Sequence, residues 1–583
     1  MTATELRVVP RPRRVQATSG TVRFEPPFTL ATGADVPPAI GSLFETLLER
    51  ETNAPVRRGT DDADVELRLE DAPTNTPAEA FDDPEGYVLK ADADAGTVSI
   101  RAATADGLRH GCQTFVTGIS RGGEGDGYEQ WTLPACEIHD WPESSWREFM
   151  LDPARGFLPV EQVKRRIDQA ARAKYNRLHL HLINDEGCAL QSTNYPKLNQ
   201  DADGTPLPAY SPEDVDELVA YAADRGIDIV PEIDVPAHAG HLLERYPKLR
   251  CTVQDGEPAD RTICIGSEET VEFVETLFEE VIERFPFEYV HVGGDEWEMQ
   301  GYSWNECVDC QAKMAADGSE TDTEHFYAFV RHLHDFLAQH DRRTIVWNDQ
   351  IDISASPDLP RDLLIHFWRV AAPDRGPVEG CSLERFLEEG FDVINSYVHA
   401  AYVRGWITED YVLGWAPRRR PTVPEERAHQ IRGGGLLAWE PSDETERAYF
   451  ERALPSAMPI FADRLWNSTS VDDRDAYSRT VTRHALGPFV PSDFDVYSEL
   501  GGLILPTWWK RPSGTLLAHV NSSLGDRTPE RAKANYRSAV ETLAELRAAD
   551  QTVYPETAST YESSLGWLIE VAERDGRGVI DRP

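Results

Sequence analysis

Over residues 1–143 apolar and polar positions alternate in short runs, at 65–69, 87–90 and 97–100. A period of two marks strands with one buried face. Apolar positions at helical spacing over 105–118 add a helix, so this stretch predicts a small α/β domain, its elements parted by acidic, Pro-rich segments such as 71–85. From 144 to 490 the pattern becomes cyclic. Short apolar runs recur at 149–151, 178–182, 229–233, 289–292, 344–346, 364–367, 393–394 and 436–438. Most are followed by an amphipathic stretch, the clearest at 160–174, 212–225, 268–284 and 323–339. Continuous apolar runs fit strands covered on both faces, and eight of them alternating with helices is the count of a (β/α)8 TIM barrel. An open doubly wound sheet is the other solution, but no Gly-rich phosphate loop follows any run. Residues 491–583 read as a mainly helical C-terminal region, clearest at 529–549 and 559–574.

At 583 residues, 40% of them hydrophobic, with 14 Trp, 19 Tyr and 21 Phe, the chain can fill several cores. The formal net charge of −43 excludes a basic face, so neither nucleic acid nor an anionic membrane is an expected partner. Only eight of the 58 basic residues are Lys. Scarce Lys and abundant carboxylates fit a halophilic protein, whose self-repulsion is screened in molar salt. No apolar run approaches the roughly 20 residues of a membrane span. Arg13-Arg14 is followed by VQATSG rather than an apolar core, and the eight Cys are scattered. The expectation is a cytoplasmic protein.

In a barrel the residues just past each strand's C-terminal end face the site. In order these are Asp152 and Arg155; His179, His181, Asn184, Asp185 and Glu186; Glu232, Asp234 and His238; Asp295 and Glu296; Trp347 and Asp349; Trp368 and Arg369; Tyr397, His399 and Tyr402; Trp439 and Glu440. Carboxylates, an Arg and several Trp on one rim suit a carbohydrate, because indole rings stack on apolar sugar faces while charged groups take hydroxyls. Gly293-Gly294 before Asp295-Glu296 leaves room for a close backbone approach. Two adjacent carboxyls in a poorly solvated site cannot both ionise, so one keeps a proton near neutrality. An adjacent pair is badly placed to flank a glycosidic bond from opposite sides.

His179-Leu-His181 puts two imidazoles on one strand face, as in metal-dependent hydrolases, but later strands offer no matching ligand set; the expected role is hydrogen bonding within the core. Cys307-Val-Asp-Cys310 could complete a four-thiolate zinc site with Cys251 and Cys264. That second pair lies far upstream, which favours free thiols or a disulfide. No metal or cofactor is expected.

The runs LDPARGFLPVEQVKRRIDQAARAKYNRLHLHL, IVPEIDVPAHAG and YVHVGGDEW, with TIVWNDQ, HFW and LLAWE more loosely, resemble glycoside hydrolase family 20, the β-N-acetylhexosaminidases. The resemblance spans about 60–470, including GLRHGCQTF in the first domain. It implies an exo-acting enzyme on oligosaccharides with a terminal N-acetylhexosamine, chitin-derived ones among them, working by retaining, substrate-assisted hydrolysis. On that resemblance Glu296 is the general acid/base and Asp295 holds the 2-acetamido group. Arg155 binds the sugar hydroxyls, and Trp347, Trp368 and Trp439 wall the pocket. Tyr402 donates to the acetamido oxygen. Asn184, Asp185 and His238 fall among the substrate-binding positions, and in the family the Asp at position 184, the His and the catalytic Glu form a polar chain. The chain departs from the family pattern at Asn184, where an Asp is usual, at Ala237, at Arg404 after Tyr402, and at Pro441 after Trp439-Glu440. A sugar-binding barrel without turnover is the alternative in another functional class, and a metal-dependent hydrolase a third.

Overall fold

The computed structural model describes residue 548 and residues 6–487 apart from 60–62, 72–78, 123–129, 255, 354–357, 370–381, 404–408, 420–421 and 441–443. The helices expected at 529–549 and 559–574 lie outside the described residues, save residue 548, as do Cys381, Arg404 and Pro441.

The N-terminal residues build a mixed sheet in the order Arg14–Phe24, Gln130–Asp140, Tyr87–Asp92, Thr97–Ala102, Val65–Leu69, Phe28–Thr32 and Val56–Arg58. Helices Pro38–Thr52 and Ala105–Gly118 contribute Phe44 and Phe115 to its core, where both rings meet beside Phe24.

All eight expected runs of the second region are parallel strands: β1 (Trp146–Leu151), β2 (Arg177–Asn184), β3 (Asp228–Ile233), β4 (Tyr289–His291), β5 (Arg343–Trp347), β6 (Leu364–Phe367), β7 (Asp392–Asn395) and β8 (Ile431–Ala438). The β8 strand pairs in parallel with β1 from Gly433↔Trp146 to Ala438↔Leu151, so the sheet closes and the open-sheet alternative is set aside. Helices Val160–Arg172, Pro212–Asp224, Glu268–Arg284 and Asp322–Gln339 cover it, the second and fourth started by capping boxes at Ser211 and Thr321.

The barrel interior is unusually polar. His179 sits between Glu148 (3.2 Å) and Glu232 (2.9 Å), and His181 also reaches Glu232 (2.5 Å). His291 stacks on His179, and Trp347 on His366. The imidazole pair is therefore spent on carboxylates of the core, which accommodates its burial through mutual hydrogen bonds.

Helices Glu444–Trp466 and Arg474–Leu486 follow the barrel. The Trp466 indole donates to Asp140 (2.9 Å), and the Lys174 ammonium lies over the same ring while also reaching Asp140 (3.2 Å). This buried knot joins the N-terminal sheet to the barrel. No helix among the described residues is long and apolar enough to cross a membrane.

Candidate active site

The turn after β4 positions the central pair. The Gly293 amide donates to His291 Nδ1 (3.0 Å), and the Gly293 carbonyl accepts from the Trp347 amide (2.9 Å). At φ +72°, Gly293 passes so close to β3 that a Cβ there would lie 1.9 Å from Asp234 Oδ1. Glycine is thus required twice over, by conformation and by space. The chain then delivers Asp295 and Glu296, the latter held in the left-handed region at φ +50°. His238, facing them from the segment after β3, has φ +51°. Two non-glycine residues in that region store roughly 1–3 kcal/mol each, strain that clusters where geometry is functional.

Four groups share the charge. Burial pushes the Asp295 carboxyl up to about 7, helped by Asp349 and Glu296 and opposed by His238. Asp234, buried against Asp295, is also driven well above the carboxylate range. Glu296 goes the other way: burial would raise it, but the hydrogen bond and charge of His238, with Arg369, hold it below its ordinary value. Burial opposes charge on His238, yet Asp295, Asp185, Glu296 and Asp234 hold it well above the usual histidine range. Burial therefore favours keeping a proton on the Asp234–Asp295 pair, while Glu296 is favoured as the ion beside an imidazolium.

The polar chain differs from the expectation in one link. His238 Nδ1 lies 3.5 Å from Asp185 and its Nε2 lies 3.5 Å from Glu296, so the chain starts at Asp185. Asn184 turns inward instead, its amide against His181 Nε2 (2.7 Å), while its carbonyl accepts from the Asp185 amide. With Asn at 184, the carboxylate facing His238 comes from Asp185, in the turn just past the end of β2. Asp185 is fixed by the Gly240 amide (2.8 Å) and Arg261 (3.6 Å). Asn184 is held against His181, and Asp185 faces His238 and Gly240.

The aromatic residues gather. Trp347, 1% exposed, is the floor, its indole N–H taken by Glu232 (2.7 Å). Trp439 lies 6.1 Å from it, Tyr402 lies 6.0 Å from Trp439, and Trp368 stacks on Tyr402 at 5.8 Å. Burial pushes the Tyr402 phenol well above its usual range, so it remains a hydrogen-bond donor. Arg155 packs over the Trp439 ring (4.9 Å), held by Asp152 (2.7 Å) with Glu186 at 3.6 Å.

Two strand-end residues acquire roles that the sequence left unassigned. Asp349 accepts from the Trp368 indole (3.1 Å), from Arg369 (2.8 Å) and from the Glu296 amide (3.3 Å). Arg369 in turn lies 3.7 Å from the Glu296 carboxylate. Both follow strands of the same rim, which was the only signal available for them.

Comparison with known proteins agrees with this geometry. The catalytic-domain model of glycosyl hydrolase family 20 matches residues 144–468, and the model of that family's domain 2 matches residues 5–141. A Porphyromonas gingivalis β-hexosaminidase is 28% identical over 73% of this chain and 58% of its own length, so the chain spans little more than half of that relative. An Akkermansia muciniphila β-hexosaminidase is 28% identical over 72% of this chain and 88% of its own. A Vibrio harveyi exo-β-N-acetylglucosaminidase, solved with N-acetylglucosamine, shares the fold with a TM-score of 0.69 at 23% identity, covering 82% of this chain and 76% of that one. A barrel closed by β8, an Asp-Glu pair at the end of β4 and a family model matching more than half the residues lead to one assignment: the chain belongs to glycosyl hydrolase family 20.

Proposed function

We propose that the protein is an exo-acting β-N-acetylhexosaminidase that releases terminal N-acetylhexosamine by retaining, substrate-assisted hydrolysis. The observation that carries this is the adjacency of Asp295 and Glu296 above an aromatic pocket. Two neighbouring carboxyls on one turn cannot act as acid and nucleophile from opposite faces of a sugar, so the nucleophile must come from the substrate. The acetamido oxygen attacks the anomeric carbon while Glu296 gives its proton to the leaving glycosidic oxygen, and that C–O bond breaks. Asp295 accepts the acetamido N–H and stabilises the positive charge of the oxazolinium-type intermediate. Water then attacks the anomeric carbon, Glu296 takes the water's proton, the ring opens, and two inversions leave the β configuration.

Productive binding has to place a proton on Glu296, which the site otherwise holds as the ion. His238 lies 3.8 Å from Asp295 and 3.5 Å from Glu296, so its positive charge serves both carboxylates. Tyr402 donates to the acetamido oxygen, Trp347, Trp368 and Trp439 enclose the methyl group and ring face, and Arg155 takes ring hydroxyls. The working setting we infer is a salt-rich cytoplasm, with oligosaccharides of the chitin type as substrates. The division into residues 1–143, a catalytic unit 144–490 and a C-terminal region 491–583 belongs to this proposal. The direct test is release of chromophore from aryl N-acetyl-β-glucosaminide and galactosaminide in high salt. Turnover of either epimer supports hydrolysis; binding of the monosaccharide with no turnover of either identifies a sugar-binding barrel instead.

A further inference from the structure

Cys251, Cys264, Cys307 and Cys310 converge in one buried cluster, although the two pairs are far apart in the chain. All four sulfurs lie within 4.8 Å of one another, with Cys264 Sγ 3.5 Å from Cys307 Sγ and 3.6 Å from Cys310 Sγ. A disulfide needs about 2.05 Å between sulfurs, so no pair is bonded. A tetrahedral zinc with Zn–S bonds of about 2.3 Å sets its sulfurs about 3.8 Å apart, close to the spacing seen.

The backbone around the cluster is shaped for this approach. Cys307 precedes helix Val308–Asp317 and Cys310 lies in its first turn. Val253 and Cys307 form a bridge, and the Val308 amide donates to the Thr252 carbonyl (3.2 Å). At Gly266 a Cβ would stand 2.4 Å from the Cys310 Cα, so only glycine lets the two arms meet. We propose that these four cysteines bind one zinc ion as a structural tetrathiolate site. Binding releases four thiol protons and leaves the site with a net charge of −2. Four protein ligands fill the coordination shell, so the ion has no open position and takes no part in hydrolysis.

The placement gives the ion a purpose. One arm is the segment after β3, which carries Asp234 and His238 and ends in Cys251 and Cys264. The other follows β4, carries Asp295 and Glu296, and ends in Cys307 and Cys310. Between cluster and catalytic pair the arms are laced together: Arg261 to Gln300 (2.9 Å), Thr262 to the Gly301 carbonyl (2.6 Å), the Ala259 amide to Ser303 (2.9 Å) and the Trp304 indole to the Ile263 carbonyl (2.9 Å). The zinc closes the far end of a clamp whose near end is the contact of His238 with Glu296. Metal affinity of this kind contributes directly to folding.

The test is the metal content of the full-length protein, purified without added chelator or metal-affinity resin from zinc-supplemented medium. About one zinc per chain is expected, released by an organomercurial at about four thiol equivalents per ion. Replacement by cobalt should give the visible bands of a tetrahedral site and sulfur-to-cobalt charge transfer. Cys307→Ser/Cys310→Ser should lose the ion and melt at lower temperature. Wild-type metal content decides the matter even if that variant fails to fold. Zinc near zero with all four thiols titrating in denaturant, stoichiometric iron in place of zinc, or a disulfide within the set found by mass spectrometry would each overturn the proposal. None of these readouts depends on hexosaminidase activity, so the site and the proposed reaction stand or fall separately.

Discussion

Glu296 and Asp295 divide their protons in the reverse of the order the chemistry needs. In this site Asp295 is pushed up to about 7 and Glu296 is held low. The competent form has one proton between the two, placed on Glu296. The pair titrates as a unit, so kcat/KM should rise as Glu296 first ionises, below the usual carboxylate value, and fall as pH climbs through about 7, where the last shared proton leaves. Asp295→Asn removes the partner that raises the upper limb. In that variant the alkaline limb should move to lower pH, with reduced activity, and a limb left in place would assign it to another group. Glu296→Gln should cost about 10²–10⁴-fold on substrates with alkoxide leaving groups. Aryl substrates with acidic phenols need little protonation and should lose much less. Equal losses on both would take Glu296 out of the acid role. At this scale the sequence was most legible for residues that follow strands. The roles of Asn184 and Asp185 were not legible, because Asn184 ends β2 and Asp185 stands in the turn after it, and only coordinates say which of them faces His238.

The eight strands were legible as short, mostly apolar runs, and helix Glu268–Arg284 came out at its expected limits because Ser267 caps it. The polar content of the barrel was less legible. His179, Glu232 and His291 interrupt apolar runs, and only their mutual contacts explain how they are accommodated. The cysteine cluster was hidden for a similar reason, since chain separation weighed against a pairing that the fold makes local. The turn after β4 is the element on which the site depends most. Gly293→Ala would force a left-handed conformation costing about 1–2 kcal/mol and drive a methyl group into Asp234. It should lower the melting temperature and cut kcat more than KM changes, since the displaced residues are Asp295 and Glu296. Full activity in that variant would mean the turn does not set their geometry.

Across the whole molecule, 43 net negative charges repel one another, and only screening relieves them. The melting temperature should rise between dilute buffer and molar potassium chloride, and an unchanged value would count against halophilic adaptation. The buried knot of Lys174, Asp140 and Trp466 should be far less salt-sensitive than exposed ion pairs such as Arg14–Glu79, because solvent ions do not reach it. The central claim is that the substrate supplies the nucleophile, and it is tested most directly by comparing aryl N-acetyl-β-glucosaminide with the matching aryl β-glucoside. Loss of a hydrogen-bonded contact alone would cost roughly 1–3 kcal/mol, or about 5- to 150-fold. Loss of a positioned intramolecular nucleophile should cost far more, since effective molarities of such groups reach about 10⁵ M and above. The glucoside should react more than about a thousandfold more slowly, on the order set by that effective molarity. Comparable rates on the two glycosides would contradict it.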